Sequence, residues 1–403
     1  MLERGGAALP RIDSPPTQQL PLAPRAAGAA LLAGFSAALL LSCVGSTEAR
    51  RGGSRPVAAE GDPVPLTPDA ALFVGRFQGN DDGLRFAWSG SAVTLRFAGT
   101  GLHMDLRDAG QNRFYALVDG EVRGGKIVAG RGLHTVELAS GLPEGEHTVT
   151  LYRLTEPLVG ETQLVGVRLA PGGQLLPPPA PRARRIEIIG DSISTGYGNE
   201  GADPNCTYAP STQNHYETYG AVAARALEAD LVTIAWSGKG IVSNRGRADD
   251  PVLMPELWRR TLPERADSEW HFPAPAPHAV VINLGTNDFA PEVEDTSGFA
   301  AAYARFLDEV RRRYPEAYVL CAVGPLLSDE WPPGKRPLST VRGALEDVVR
   351  ARAEAGDRNL GVLEFPAPSH EEGYGCDYHP SRATHLRMAS ALATRLREAL
   401  GWQ

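Results

Sequence analysis

Gly190-Asp191-Ser192-Ile193 directly follows the apolar run Ile186-Glu187-Ile188-Ile189, which puts a serine hydroxyl at the end of a predicted strand. Near the other end of the chain stands Asp377-Tyr378-His379-Pro380. A serine hydroxyl is a weak nucleophile until an imidazole takes its proton, and the imidazole needs an acceptor for its other ring hydrogen. One short segment offers both groups: His379 as general base and Asp377 as the group that orients it. Attack on an ester carbonyl also creates an oxyanion that needs fixed donors. The candidates are the backbone N–H of Ser192, the backbone N–H of Gly238 in Trp236-Ser237-Gly238-Lys239-Gly240, and the side-chain amide of Asn287 in Gly285-Thr286-Asn287-Asp288. Gly240 competes with Gly238 for this role, and Asp288 is expected to hold its own loop.

These pieces need a scaffold that brings them together. From residue 185 onward apolar runs alternate with helical segments: 186–189 then 216–228, 231–236 then a region near Glu256, 279–284 then 299–313, 318–323 then 340–354, and 361–365 then 384–400. Helical spacing is clearest at Phe299, Tyr303, Phe306, Val310 and Tyr314. Such alternation predicts an α/β domain whose parallel sheet is covered on both faces. Ligands of open parallel sheets bind beyond the carboxyl ends of the strands. Ser192, Gly238, Asn287 and the Asp377/His379 pair follow the first, second, third and fifth strands, so all of them fall on that rim.

Residues 68–174 read differently. Short alternating runs such as Val93-Thr94-Leu95-Arg96-Phe97 and Phe114-Tyr115-Ala116-Leu117-Val118 are separated by Gly, Asp and Asn, which predicts an all-β sandwich or jelly roll. Asp119-Gly120 is the turn of a hairpin. A proline-rich linker over 175–184 separates the two domains.

Residues 1–42 carry Arg4, Arg11 and Arg25 ahead of an alanine-rich apolar stretch and read as an export signal, followed by a flexible tether over 43–67. Leu40-Leu41-Ser42-Cys43 is similar to the lipobox of bacterial lipoproteins, which makes Cys43 a candidate lipidation site; a plain signal peptide cut near Ser46 is the alternative. The expected location is therefore the cell envelope or the medium, with membrane contact only through a lipid at Cys43. Beyond Cys43 the chain has Cys206, Cys321 and Cys376, an odd number. A Cys206–Cys376 bond would tie the serine and histidine loops together, and Cys321 reads as a buried thiol. The net charge of −8 makes nucleic acid an unsuitable partner. The remaining histidines show no ligand spacing, so no metal and no cofactor is expected. Trp236, Trp258, Trp270 and Trp331 fit either a sugar groove or the core.

The order of G-D-S, a glycine, G-x-N-D and D-x-H-P resembles the SGNH hydrolase superfamily over residues 185–403. More narrowly, Gly190 to Asn199, Ala235 to Gly240 and Gly375 to Pro380 are similar to segments of carbohydrate esterase family 2. That resemblance implies a flavodoxin-like three-layer α/β/α hydrolase domain with a five-stranded parallel sheet behind a β jelly roll. It also implies an acetyl xylan or glucomannan esterase that works through an acyl-serine on an acetylated polysaccharide or oligosaccharide. Some members carry tryptophan between acid and histidine where this chain has Tyr378, a possible substrate contact. Members differ in whether a side-chain acid or a backbone carbonyl orients the histidine. The alternatives are an SGNH lipase or thioesterase acting on acyl lipids, and an inactive carbohydrate-binding surface protein.

Overall fold

A computed structural model describes residues 63–67, 69–246, 250–293 and 295–403. The export signal, Cys43 and nearly all of the expected tether lie outside the described residues.

The N-terminal domain is a sandwich of antiparallel strands. One sheet runs Leu72–Val74, Ala92–Ala98, Glu146–Arg153, Arg113–Val118 and Glu121–Val128, and Gln174–Leu176 pairs with the far half of Ala92–Ala98. The other sheet runs Gln78–Asn80, Gly83–Phe86, Thr162–Leu169, Leu102–Asp108 and Gly132–Ala139. The period of two seen in the sequence decides which side chains face inward: Val93, Leu95 and Phe97 are buried with Phe86, Leu106, Phe114 and Leu151. Asp119 and Gly120 both take positive φ (52° and 88°), the conformation that a two-residue hairpin favours. Leu175 and Leu176 pair with Phe97 and Arg96, so the expected linker begins inside the sandwich and ends in the first hydrolase strand.

The hydrolase sheet is parallel, in the order Ala229–Ala235, Arg184–Gly190, Ala279–Asn283, Tyr318–Val323, Leu360–Glu364. Its strands are apolar on both faces. Ile186, Ile188, Ala279 and Val281 pack against helices Tyr219–Ala226 and Arg382–Leu400, whereas Ile189, Val280 and Ile282 face Phe299–Arg313 and Pro337–Glu354. The helix expected from residue 216 starts at Tyr219, because His215–Glu217 forms a separate 3-10 turn and Thr218 caps the helix. The region near Glu256 gives a single turn, Met254–Leu257.

The two domains share a polar, buried seam. Arg76 of the sandwich is 0 % exposed; its guanidinium donates to the carbonyls of Trp258 and Arg260 and lies 3.6 Å from the Glu187 carboxylate. Glu187, in the strand that ends at the serine, also accepts from Trp258 Nε1 (2.6 Å) and Tyr314 Oη (3.1 Å). Trp88 Nε1 donates to Thr261 O at 2.9 Å, and Asn214 donates to Tyr115 Oη at 3.0 Å. These contacts predict that sandwich and hydrolase unfold as one cooperative unit. Calorimetry is expected to show a single unfolding transition. Arg76→Ala is expected to lower its stability by about 3 kcal/mol, since it leaves a buried carboxylate without its cation; two separate transitions would contradict the shared seam.

Candidate active site

The serine strand ends at Gly190, and the chain turns at once into the short helix Ser192–Thr195. The turn is tight: a Cβ at Gly190 would meet Ser194 Oγ at 2.1 Å, so only glycine fits there. Asp191 is the N-cap, accepting from Ile193 N at 3.0 Å, and Ser192 takes the first helical position. Buried and near Asp288, the Asp191 carboxyl is raised to about 7, chiefly by loss of solvent.

His379 reaches this serine from the far end of the chain. Its Nε2 lies 2.8 Å from Ser192 Oγ. Its Nδ1 faces two main-chain oxygens, Asp377 O at 3.1 Å and Cys376 O at 3.3 Å. Carbonyls only accept, so Nδ1 carries the hydrogen and Nε2 is the basic nitrogen. Burial lowers the imidazole to about 4.

The expectation that the Asp377 side chain orients His379 is corrected by the backbone. Asp377 and Tyr378 are consecutive residues with positive φ (52° and 60°), which aims the peptide oxygen of Asp377 at the ring. Its carboxylate instead accepts from Tyr197 Oη at 2.9 Å and from Tyr208 N at 3.1 Å. The Tyr197 ring lies 4.3 Å, centroid to centroid, from both the Tyr208 and the His379 rings. Cys206 and Cys376 form a disulfide, Asp377 N donates to Cys206 O (3.0 Å), and Cys376 N donates to Gly198 O (2.9 Å). The histidine loop is thus tied to the segment after the serine by one covalent and two backbone links. Cys321 is buried in its strand as a free thiol.

The loops after the second and third strands close the other side. Gly238 has φ 83°, and its carbonyl accepts from Arg245 N at 2.8 Å. Gly240 N already donates to Asn244 Oδ1 at 3.2 Å. Asn287 is buried, donates to Lys239 O at 2.8 Å and lies 3.4 Å from Asp191 Oδ2, so it bridges the serine turn and the glycine loop. Asp288 holds the neighbouring loop rather than its own, accepting through Oδ1 from the backbone N–H groups of Ile241 (2.8 Å), Val242 (2.6 Å) and Ser243 (3.1 Å). Tyr378 is exposed beside Tyr374. Of the four tryptophans, Trp236 and Trp258 are core, Trp270 is half-buried, and Trp331 is 64 % exposed. Among the described residues no group of His, Cys, Asp and Glu side chains is arranged to hold a metal ion.

Sequence reasoning missed Tyr197, Tyr208 and Glu156. Tyr197 lies within the serine segment already singled out, and Tyr208 stands two residues beyond Cys206, so both had a signal of position. Glu156 comes from the other domain and had none; its carboxylate receives the Ser237 N–H and hydroxyl.

Two family models match the chain: the carbohydrate esterase 2 N-terminal family over residues 73–179, and the GDSL-like lipase/acylhydrolase family over 188–387. The chain is 41% identical over 341 residues to the cellulase/esterase CelE of Acetivibrio thermocellus, a match that covers 83% of this chain and 41% of that protein. It is 27% identical over 272 residues to an acetylxylan esterase/glucomannan deacetylase of Cellvibrio japonicus, covering 66% of this chain and 71% of that one. A solved family two carbohydrate esterase from Clostridium thermocellum, in complex with cellohexaose, superposes with TM-score 0.78 at 40% identity, covering 83% of this chain and all of that one. Sandwich, parallel sheet and matched families agree, and this chain belongs to carbohydrate esterase family 2, as a carboxylic ester hydrolase with the SGNH fold.

Proposed function

We propose that the protein is an exported serine esterase that removes O-acetyl groups from a xylan- or glucomannan-like polysaccharide through an acetyl-serine intermediate. The observation that carries the reading is the Ser192–His379 contact at 2.8 Å, with the opposite ring nitrogen against two carbonyls. Neutral His379 takes the Ser192 proton as Oγ bonds to the acetyl carbon. The carbonyl oxygen becomes an oxyanion, for which the N–H groups of Ser192 and Gly238 are the donors, joined by the Asn287 amide when it turns from its long 3.4 Å contact with Asp191 while keeping the bond to Lys239 O. Gly240 is the weaker candidate, its N–H being engaged by Asn244. As the C–O bond to the sugar breaks, the imidazolium returns its proton to the leaving hydroxyl. Water, deprotonated by the same ring, then releases acetate and restores the serine. The Nδ1 carbonyls keep the tautomer correct throughout, and the Asp377 carboxylate acts on Tyr197, beneath the imidazole.

The substrate class rests on kinship: the named activity of the Cellvibrio japonicus relative and the cellohexaose bound to the Clostridium thermocellum one both support a polysaccharide. Export rests on residues 1–42, with Cys43 as the proposed lipid attachment, and a disulfide suits an oxidising compartment. A lipid or thioester substrate remains the competing enzymatic reading, and release of acetate against release of longer acyl chains separates the two.

Acetate release from acetylated xylan and glucomannan is the direct test. Ser192→Ala and His379→Ala are each expected to lower kcat/KM by several orders of magnitude; unchanged rates would remove the mechanism. Asp377→Asn is expected to stay within about tenfold of wild type, against the roughly 10⁴-fold that an imidazole-orienting aspartate carries.

The pH profile gives a second test. Burial disfavours the imidazolium, so the folded histidine titrates below its ordinary 6.5, toward about 4, and its neutral, basic form persists at lower pH. His379 keeps a partly exposed edge, which moderates the shift. The acid limb of kcat/KM is expected to have its midpoint between these two values, with activity lost as pH falls through it. A midpoint above 6.5 would rule out a desolvated base.

A further inference from the structure

We infer that Glu156, three residues beyond the sandwich strand Glu146–Arg153, is a positioning residue of the oxyanion hole, acting across the domain boundary through Ser237. This rests on the assignment of Gly238 proposed above. Glu156 is 0 % exposed and stands at the residue before the 3-10 turn Pro157–Val159 of the sandwich, its side chain making no capping bond to that turn. Both carboxylate oxygens hold Ser237: the backbone N–H donates to Oε2 at 2.8 Å and the hydroxyl donates to Oε1 at 2.7 Å. Ser237 immediately precedes Gly238, and the Gly238 carbonyl accepts from Arg245 N at 2.8 Å. The peptide that presents the Gly238 N–H is therefore bracketed, by the sandwich on one side and by its own loop on the other.

The same glutamate is coupled to the serine helix. Glu156 N donates to Gln213 Oε1 at 3.2 Å, Gln213 Nε2 donates to Thr195 O at 3.1 Å, and Thr195 Oγ1 donates to Ser192 O at 3.0 Å. Tyr208 Oη donates to the same Gln213 oxygen at 2.8 Å. One polar chain thus runs from the sandwich to the Ser192 carbonyl and to Ser237, the residue before Gly238, and so braces the two residues whose N–H groups are proposed for the oxyanion. A site held to fractions of an ångström loses rate steeply when such support is removed, because its donors must be in place before charge develops. A purely adhesive glutamate would affect only how much protein is folded.

The test measures kcat and KM per folded molecule on p-nitrophenyl acetate, with folding followed by circular dichroism, for Ser192→Ala, Glu156→Ala, Glu156→Gln and Ser237→Ala. Glutamine can accept from the Ser237 N–H and donate to its hydroxyl, so it preserves the clamp. Glu156→Ala is expected to lower kcat about ten- to hundredfold with KM within about twofold, and Glu156→Gln to recover to within about threefold of wild type. The phenylboronate inhibition constant should weaken in parallel with kcat in Glu156→Ala, since boronate occupies the oxyanion site. An unchanged kcat in folded Glu156→Ala, or a Gln variant as impaired as the Ala variant, overturns the positioning role. Should Glu156→Ala fail to fold, Ser237→Ala decides: a kcat loss of about fivefold or more supports the clamp, and wild-type kcat refutes it. Activity retained by Ser192→Ala would instead refute the serine mechanism itself, which keeps the two failures distinct.

Discussion

The site depends on a constraint that is purely conformational: two consecutive residues, Asp377 and Tyr378, held at positive φ. An L-residue pays steric energy in that region, and two in succession persist only where their surroundings over-determine them. Here the surroundings are the disulfide to Cys206, the bond from Asp377 N to Cys206 O and the bond from Cys376 N to Gly198 O. The Asp377 carboxylate adds Tyr197 and Tyr208 to the same clamp. Strain in the backbone becomes aim in the side chain: with the turn fixed, a carbonyl meets Nδ1 and Nε2 meets the serine.

The sandwich belongs to the same logic. A buried carboxylate or guanidinium is costly unless it is paired, and Arg76, Glu187 and Glu156 at the seam each have at least one partner in the other domain. Glu187 receives Trp258 and Tyr314 from the hydrolase and lies beside Arg76 of the sandwich. Glu156 of the sandwich receives Ser237 of the hydrolase. Neither domain could present these faces to water without leaving groups designed for each other unpaired. The β-domain is therefore part of the catalytic domain's wall, whatever else it touches.

Much of this was legible in the sequence because the relevant signals are local. Apolar runs in the hydrolase half alternate with helical spacing, and those runs place Ser192, Gly238, Asn287 and His379 on one rim. The helix Phe299–Arg313 and the strand Tyr318–Val323 have the bounds that periodicity predicts, while the helix at Tyr219 starts late because a 3-10 turn precedes its cap. What was illegible depends on dihedral angles or on distant pairing. Nothing in the letters Asp-Tyr-His says that the main chain of Asp377, not its carboxylate, faces the ring. Glu156 is one acidic residue among many until folding brings it to Ser237, and Asp288 supports a loop that its own neighbours do not contain.

The main-chain acceptor at His379 also changes how this site can vary. A carboxylate that orients an imidazole is erased by one codon change, but a peptide oxygen is present whatever residue occupies position 377. Drift can reach it only by altering the path of the backbone. The side chain at 377 is thereby released from proton chemistry to evolve as a brace for the tyrosines, and the exposed position 378 is free to be tailored to whatever lies in front of it.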